Sequence, residues 1–175
     1  KIVNTFKVHN KNGIRVYEAY VEVWADVLNI VFLSFIKSKD KKNYINLFEH
    51  LINKELSFSL FQCTKILNHM NLSYGDIIDA KRKSIIYEEI CNLTSYHFLK
   101  LILFLNLQQF ESWCKKHNLS LFVFNENNMI KFVDFITTRA NTHSLQNCLQ
   151  IMKGFYNRTK LTNIAKKTMK MTIIK

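Results

Sequence analysis

Apolar side chains recur along most of the chain at steps of three and four residues, the spacing that gathers them on one face of a helix. Tyr17, Tyr20, Trp24, Val27, Val31 and Phe35 form the first stripe and predict a long amphipathic helix. Residues 38–42 (SKDKK) read as a charged turn, and Tyr44, Leu47, Phe48, Leu51 and Ile52 start a second helix beyond it. Ser57 stands where it would cap a third, through Phe58, Phe61, Ile66 and Leu67. Residues 71–76 (NLSYGD) are the clearest loop, and Ile77, Ile78, Ile85, Ile86 and Ile90 predict a fourth helix. Thr94 or Ser95 then caps a helix through Phe98, Leu101, Ile102, Leu105 and Phe110 to Trp113. Residues 117–125 form a connection whose LFVF run is expected to pack back on the core. Met129, Ile130, Val133 and Ile136 mark one side of a helix over 126–138, and Leu145, Leu149, Met152 and Tyr156 one side of the last. Near the start, Asn12-Gly13 between short alternating runs is a hairpin signal. An irregular lead-in to the first helix is the alternative.

Composition narrows the fold class. With no proline and three glycines in 175 residues, the chain lacks the turn residues that a sandwich or barrel needs at every corner. At 48% hydrophobic it is too apolar for a disordered chain. The expected fold is all-α: an irregular helical bundle with a short N-terminal hairpin, open to division into two helical subdomains. The expected organisation is an N-terminal helical region over 1–92, a basic helical bundle over 93–160 and a basic C-terminal segment over 161–175. Two stretches raise the membrane question, 16–36 and 98–107. Glu18, Glu22 and Asp26 interrupt the first; the second is short and carries Lys100 and Asn106. Both are expected as buried core helices, with no membrane partner.

Charge supplies the first functional clue. Twenty-five Lys and Arg against 13 Asp and Glu give +12, and the pI is near 9.6. Residues 1–92 hold 13 basic and 10 acidic side chains, a net of +3; residues 93–175 hold 12 basic and three acidic ones, a net of +9. Such asymmetry points to a polyanionic partner on the C-terminal half. The candidate contacts are Lys115, Lys116, Lys131, Arg139, Lys153, Arg158, Lys160, Lys166, Lys167 and Lys170. Lysine is a mobile point charge suited to phosphate, whereas base reading favours the planar fork of Arg or the amides of Asn and Gln. Gln146, Asn147 and Gln150 share a helix with Lys153 and offer such amides. Against this stands the plainer reading of a solvated, solubilising face.

Catalytic and metal chemistry have little purchase. No G-x-S-x-G elbow or glycine-rich phosphate loop occurs, and adjacent Glu88 and Glu89 would point about 100° apart on a helix rather than form a dyad. Cys114, His117, His143 and Cys148 make a formal Cys2His2 set, but its halves are 25 residues apart and lack knuckle spacing. The four cysteines (Cys63, Cys91, Cys114, Cys148) read as buried free thiols of an intracellular protein. No enzyme, no cofactor and no metal site is expected.

Three pieces of the C-terminal half carry a family likeness. The first is the helix ending Phe110-Glu-Ser-Trp113-Cys114; the second is Glu126-Asn-Asn-Met-Ile130-Lys-Phe132-Val-Asp-Phe135-Ile136; the third is Ser144-Leu145 followed by Leu149, Met152 and Phe155-Tyr156. Over 95–158 the chain thereby resembles the helical core-binding domain of tyrosine recombinases, including yeast centromere-binding relatives that keep the fold without catalysis. The resemblance implies a helical clamp laying basic faces on duplex DNA. The family's catalytic Arg, His and Tyr constellation has no counterpart here, since Arg139 and Arg158 are the only arginines after residue 100. The expected function is non-catalytic duplex DNA binding through backbone contacts, in a larger nuclear or chromatin-associated assembly with protein partners. One alternative is a helical protein–protein interaction scaffold. Another is a viral Bcl-2-like inhibitor, which the bundle around 98–107 resembles in outline although the family's Asn-Trp-Gly-Arg signature is missing.

Overall fold

The three-and-four periodicity is realised in a computed structural model that describes residues 2–10, 13–78, 87–89, 91–160, 162 and 168–174. A helical turn, α1 (Ile2–Thr5), and a short strand, β1 (Val8–Asn10), precede α2 (Val16–Lys37), the helix of the first stripe. Lys11 and Asn12 of the expected hairpin turn lie outside the described residues. The hairpin is nonetheless replaced: β1 pairs in parallel with β2 (Tyr87–Glu89), Val8 opposite Tyr87, and the chain after Gly13 becomes helical at Val16. Apart from this small ladder and the isolated bridge between Ser120 and Val123, the described residues form an all-α bundle.

The second and third expected helices are one. α3 runs unbroken from Lys41 to His69, capped at the front by Asp40, whose carboxylate accepts the Asn43 N–H at 2.8 Å. Ser57 is therefore an exposed mid-helix residue and caps nothing. No glycine or proline lies between the two stripes, so nothing opposes propagation once the helix is nucleated. The helix stops at Asn71, which takes the left-handed conformation at φ 53°. The Leu72 N–H reaches back to the Leu67 carbonyl and the Asn71 N–H to that of Asn68, a Schellman ending. Within the expected loop, Ser73 and Asp76 cap each other reciprocally and start the short α4 (Tyr74–Ile78). Of the expected fourth helix, Ile77 and Ile78 lie in α4 while 79–86 and Ile90 lie outside the described residues, and Tyr87–Glu89 is the strand β2 rather than helix.

The central helix begins as a π-helical turn, Thr94–Leu99, and continues as α5 (Lys100–Leu105). Neither Thr94 nor Ser95 is its cap. Both lie inside the turn and are buried, and the Glu89 carboxylate takes the Thr94 N–H and hydroxyl, each at 3.0 Å. Asn106 breaks the helix, its side chain donating to the Ile102 carbonyl, before α6 (Leu107–His117). A 3-10 turn (Glu126–Asn128) leads into α7 (Met129–Ala140), and α8 (His143–Arg158) follows.

Phe98, Leu99, Leu101, Ile102 and Leu103 are all but completely covered, which makes the central helix the axis of the bundle. One hydrophobic cluster draws on it and on α2, α3, α6, α7 and α8. By length and composition α2 is apolar enough to cross a membrane, whereas its sequence charges had argued against a span. In the fold Asp26 is turned inward against Lys100. An aromatic hub joins α2 to the second half. The Tyr20 ring meets Phe110, Phe124 and Phe132 at 5.0–5.6 Å, and its hydroxyl donates to the Leu121 carbonyl. Of the LFVF run, Leu121 and Phe124 pack on the core while Val123 is exposed; Phe122 is half out, its ring edge on Trp24. Ile130, assigned to the apolar side of α7, is exposed instead.

Candidate nucleic-acid interface

α6 buries Phe110, Trp113 and Cys114, so Lys115 and Lys116 emerge at its C-terminal end. α7 buries Phe132, Ile136 and Ala140, leaving Lys131 exposed and Arg139 half-buried on its other side. The helices meet through Trp113, whose ring lies 5.0 Å from Phe132 and 6.3 Å from Phe135. A shallow cleft opens along this seam. Trp113, His117 and Phe135 line it, with Lys116, Lys131 and Arg139 around it and Asp134 as its one acid. The Arg139 guanidinium sits 5.7 Å over the Phe135 ring, which orients its donors. Partial burial, followed by the Lys131 and Lys116 ammonium groups, holds the His117 imidazole below its usual range. Lys116 and Lys131, from different helices, thus both line the cleft beside His117.

The other candidates are dispersed. Lys115 is exposed beside the cleft but paired with Glu111 at 2.6 Å, an i,i+4 contact. Lys153 lies in a second groove with Gln146, Asn147 and Gln150, facing Thr64 and Leu67 of α3 and Ser73–Gly75 before and within α4. Arg158 and Lys160 are exposed at the end of α8, and Lys170 is exposed on the C-terminal segment. Lys166 and Lys167 lie outside the described residues. The base-edge amides are thus with Lys153 and away from the α6–α7 cleft, where Gln108 and Gln109 take that place. Sequence reading passed over these two, although Gln108, Ser112 and Lys116 step by four along the polar face of α6.

A second polar cluster lies inside the bundle. The Lys100 ammonium contacts Asp26 and lies 3.2 Å from a Glu55 oxygen, all three side chains being nearly or wholly buried. Glu55 also accepts the Thr172 hydroxyl at 2.8 Å and the Ile173 N–H at 3.1 Å. The Met171 carbonyl takes a hydrogen bond from Lys100, and the Thr168 carbonyl one from Lys65. The C-terminal segment therefore covers the cluster, which is a structural knot closed to solutes. Burial raises Asp26 to about 6 against the pull of Lys100, and burial with the nearby Lys100 and Lys65 lowers His97 to about 4. Of the thiols expected to be buried, Cys63 and Cys114 are, whereas Cys91 is exposed and Cys148 half-buried. Burial pushes the Cys63 thiol up, which disfavours the thiolate. Among the described residues no group of three or more His, Cys, Asp or Glu is placed to hold a metal.

The chain matches no protein-family model, no curated protein and no solved structure.

Proposed function

We propose that the protein binds duplex DNA without catalysis, through phosphate contacts made at the α6–α7 cleft. The observation that carries this is the convergence of Lys116, Lys131 and Arg139 around His117 and Trp113. The +9 balance of residues 93–175 supports it by adding long-range attraction. So does the resemblance of 95–158 to the recombinase core-binding domain, which would lay helix faces of this kind on a duplex. Lysine-rich contacts hold the backbone and read little sequence, so affinity should be salt-dependent and weakly sequence-selective. The setting that fits is a larger nuclear or chromatin-associated assembly in which partners supply the remaining specificity.

Anisotropy titration of a labelled duplex between 50 and 200 mM salt is the test. Three contacts give a log–log slope of about −2.7 and a loss of about 40-fold over that range, with steeper values if Arg158, Lys160 and the C-terminal lysines join. Lys116→Gln, Lys131→Gln and Arg139→Gln should each lower the slope by about one, while Lys37→Gln and Lys54→Gln on the first half leave it unchanged. Equal effects of both sets, or binding insensitive to salt, reject the reading. A helical interaction scaffold is the second reading, favoured by the apolar face that α2 leaves uncovered.

A further inference from the structure

α2 carries apolar side chains on two faces. One is the core face, with Ala19, Tyr20, Val23, Val27 and Ile30 buried. Across the helix, Val21, Ala25, Leu28, Phe32 and Phe35 follow one another at intervals of four, three, four and three residues. This is the seam of a helix that pairs with another helix. Of these, Leu28 alone is half-buried and the rest face solvent, Phe32 60% exposed and Phe35 73%, with Ile36 beside them at 74%. At 1.5 Å per residue the strip from Tyr17 to Ile36 is about 30 Å long. No charged side chain falls on the seam itself.

The seam is complementary to itself when run in reverse. Antiparallel pairing about Leu28 sets Ala25 against Phe32 and Val21 against Phe35, small opposite large, with Leu28 meeting its own copy. The charges agree. Glu22 flanks the N-terminal end of the seam, Glu18 beside it being held by Arg15 at 2.6 Å, and Lys37 and Lys39 follow its C-terminal end, so reversal brings an acid toward bases. A parallel arrangement would bring like charges together and Phe against Phe. We propose that α2 is a homodimerisation helix that pairs antiparallel with α2 of a second copy, around a two-fold axis at Leu28. An isologous contact of this kind closes on itself and leaves no further seam exposed. The proposal is independent of the nucleic-acid reading, because no residue of the cleft lies on α2.

Sedimentation velocity and light scattering on the 175-residue chain test it. The expected mass is twice 20.8 kDa, falling to 20.8 kDa in Phe32→Glu and in Phe35→Glu. Both side chains already stand in solvent, so far-UV circular dichroism and thermal unfolding of these variants should match the wild-type monomer and separate lost pairing from lost folding. Orientation is read by cross-linking in a Cys91→Ser background. Leu28→Cys alone should cross-link, and Val21→Cys should cross-link with Phe35→Cys in a mixture but not with itself. A wild-type chain that stays monomeric at about 100 µM, whether or not it binds lipid vesicles or another protein, overturns the proposal. So does a dimer that survives both Glu substitutions, or a Val21–Val21 cross-link pattern.

Discussion

Replacing Lys100 with Met tests the buried knot at its centre. The side chain is 1% exposed, touches Asp26 and Glu55, and lies 5.7 Å from the Phe104 ring. Methionine keeps most of the stem and removes the charge, so the packing loss is small and the electrostatic loss is nearly complete. Two carboxylates would then share a buried site with no cation between them, and breaking such a pair by deleting one member costs about 3–5 kcal/mol. At about 2–4 °C per kcal/mol for a chain of this length, melting should fall by roughly 6–20 °C near neutral pH. Asp26 already titrates near 6 because of burial, with Lys100 as the main opposing influence. Without that cation it holds its proton to higher pH, so the deficit should be smaller at pH 5 than at pH 8. Urea unfolding at both values measures this. Adding Asp26→Asn and Glu55→Gln should restore much of the loss, since the amide oxygen at position 55 still accepts from the C-terminal segment. A deficit below about 1 kcal/mol at neutral pH, where a buried broken pair should cost several, would refute the argument. So would one that does not change with pH.

The pH profile of wild-type stability holds two opposing slopes. His97, held down to about 4 from 6.5, loses stability as pH falls through that window, while Asp26, held up to about 6 from 3.8, loses stability as pH rises through its own. The two oppose each other in the wild type, so His97→Gln should leave stability declining by up to about 3 kcal/mol between pH 4 and 6, and Asp26→Asn should leave the reverse, both read by chemical denaturation. At the front of α3, Asp40→Ala removes the acceptor of the Asn43 N–H and should cost about 1 kcal/mol, whereas Asp40→Ser should cost less. Equal losses in the two would mean that the cap contributes nothing.

Local periodicity was enough to find α2, α7 and α8, although Tyr17 and Phe35 of the first stripe and Ile130 of α7 stand exposed. It ran the central helix on to Trp113, whereas Asn106 separates α6 from it. It failed where the deciding partner is distant. The cap of the central helix comes from Glu89, five residues upstream of Thr94, where the local rule looked to Thr94 and Ser95 themselves. The residues after Ile78 looked helical by their isoleucines, yet Tyr87–Glu89 pairs with a strand nearly 80 positions earlier. Ser57 satisfied a capping rule, but a helix with no breaker in it runs through a serine at little cost. The candidate interface was legible by half: charge counting located the segment, and the docking of α6 on α7 through Trp113 chose which cations meet. The knot was visible in pieces. Asp26 and Lys100 each stood out as a charge in an apolar run, and burial of both in one core is what requires them to pair.

The same knot bears on the proposed DNA contacts of the C-terminal segment. Thr168, Met171, Thr172 and Ile173 are held by Lys65, Lys100 and Glu55, and Ile174 is buried. The other end of this stretch is fixed by α8, which packs on α3 and brings Tyr156 to Phe61 at 5.5 Å. On the proposed DNA-binding reading, Lys170 is therefore presented from a segment that the knot already holds. A free basic tail would spend much of its phosphate attraction on being ordered, whereas a tethered stretch has already lost most of that freedom on folding. On that reading the buried cluster lowers the entropic cost of a phosphate contact by Lys170. Loosening it by Glu55→Ala, which removes the acceptor of the Thr172 hydroxyl and the Ile173 N–H, should weaken the proposed DNA binding through Lys170 while leaving the α6–α7 cleft untouched, as read by the same anisotropy titration.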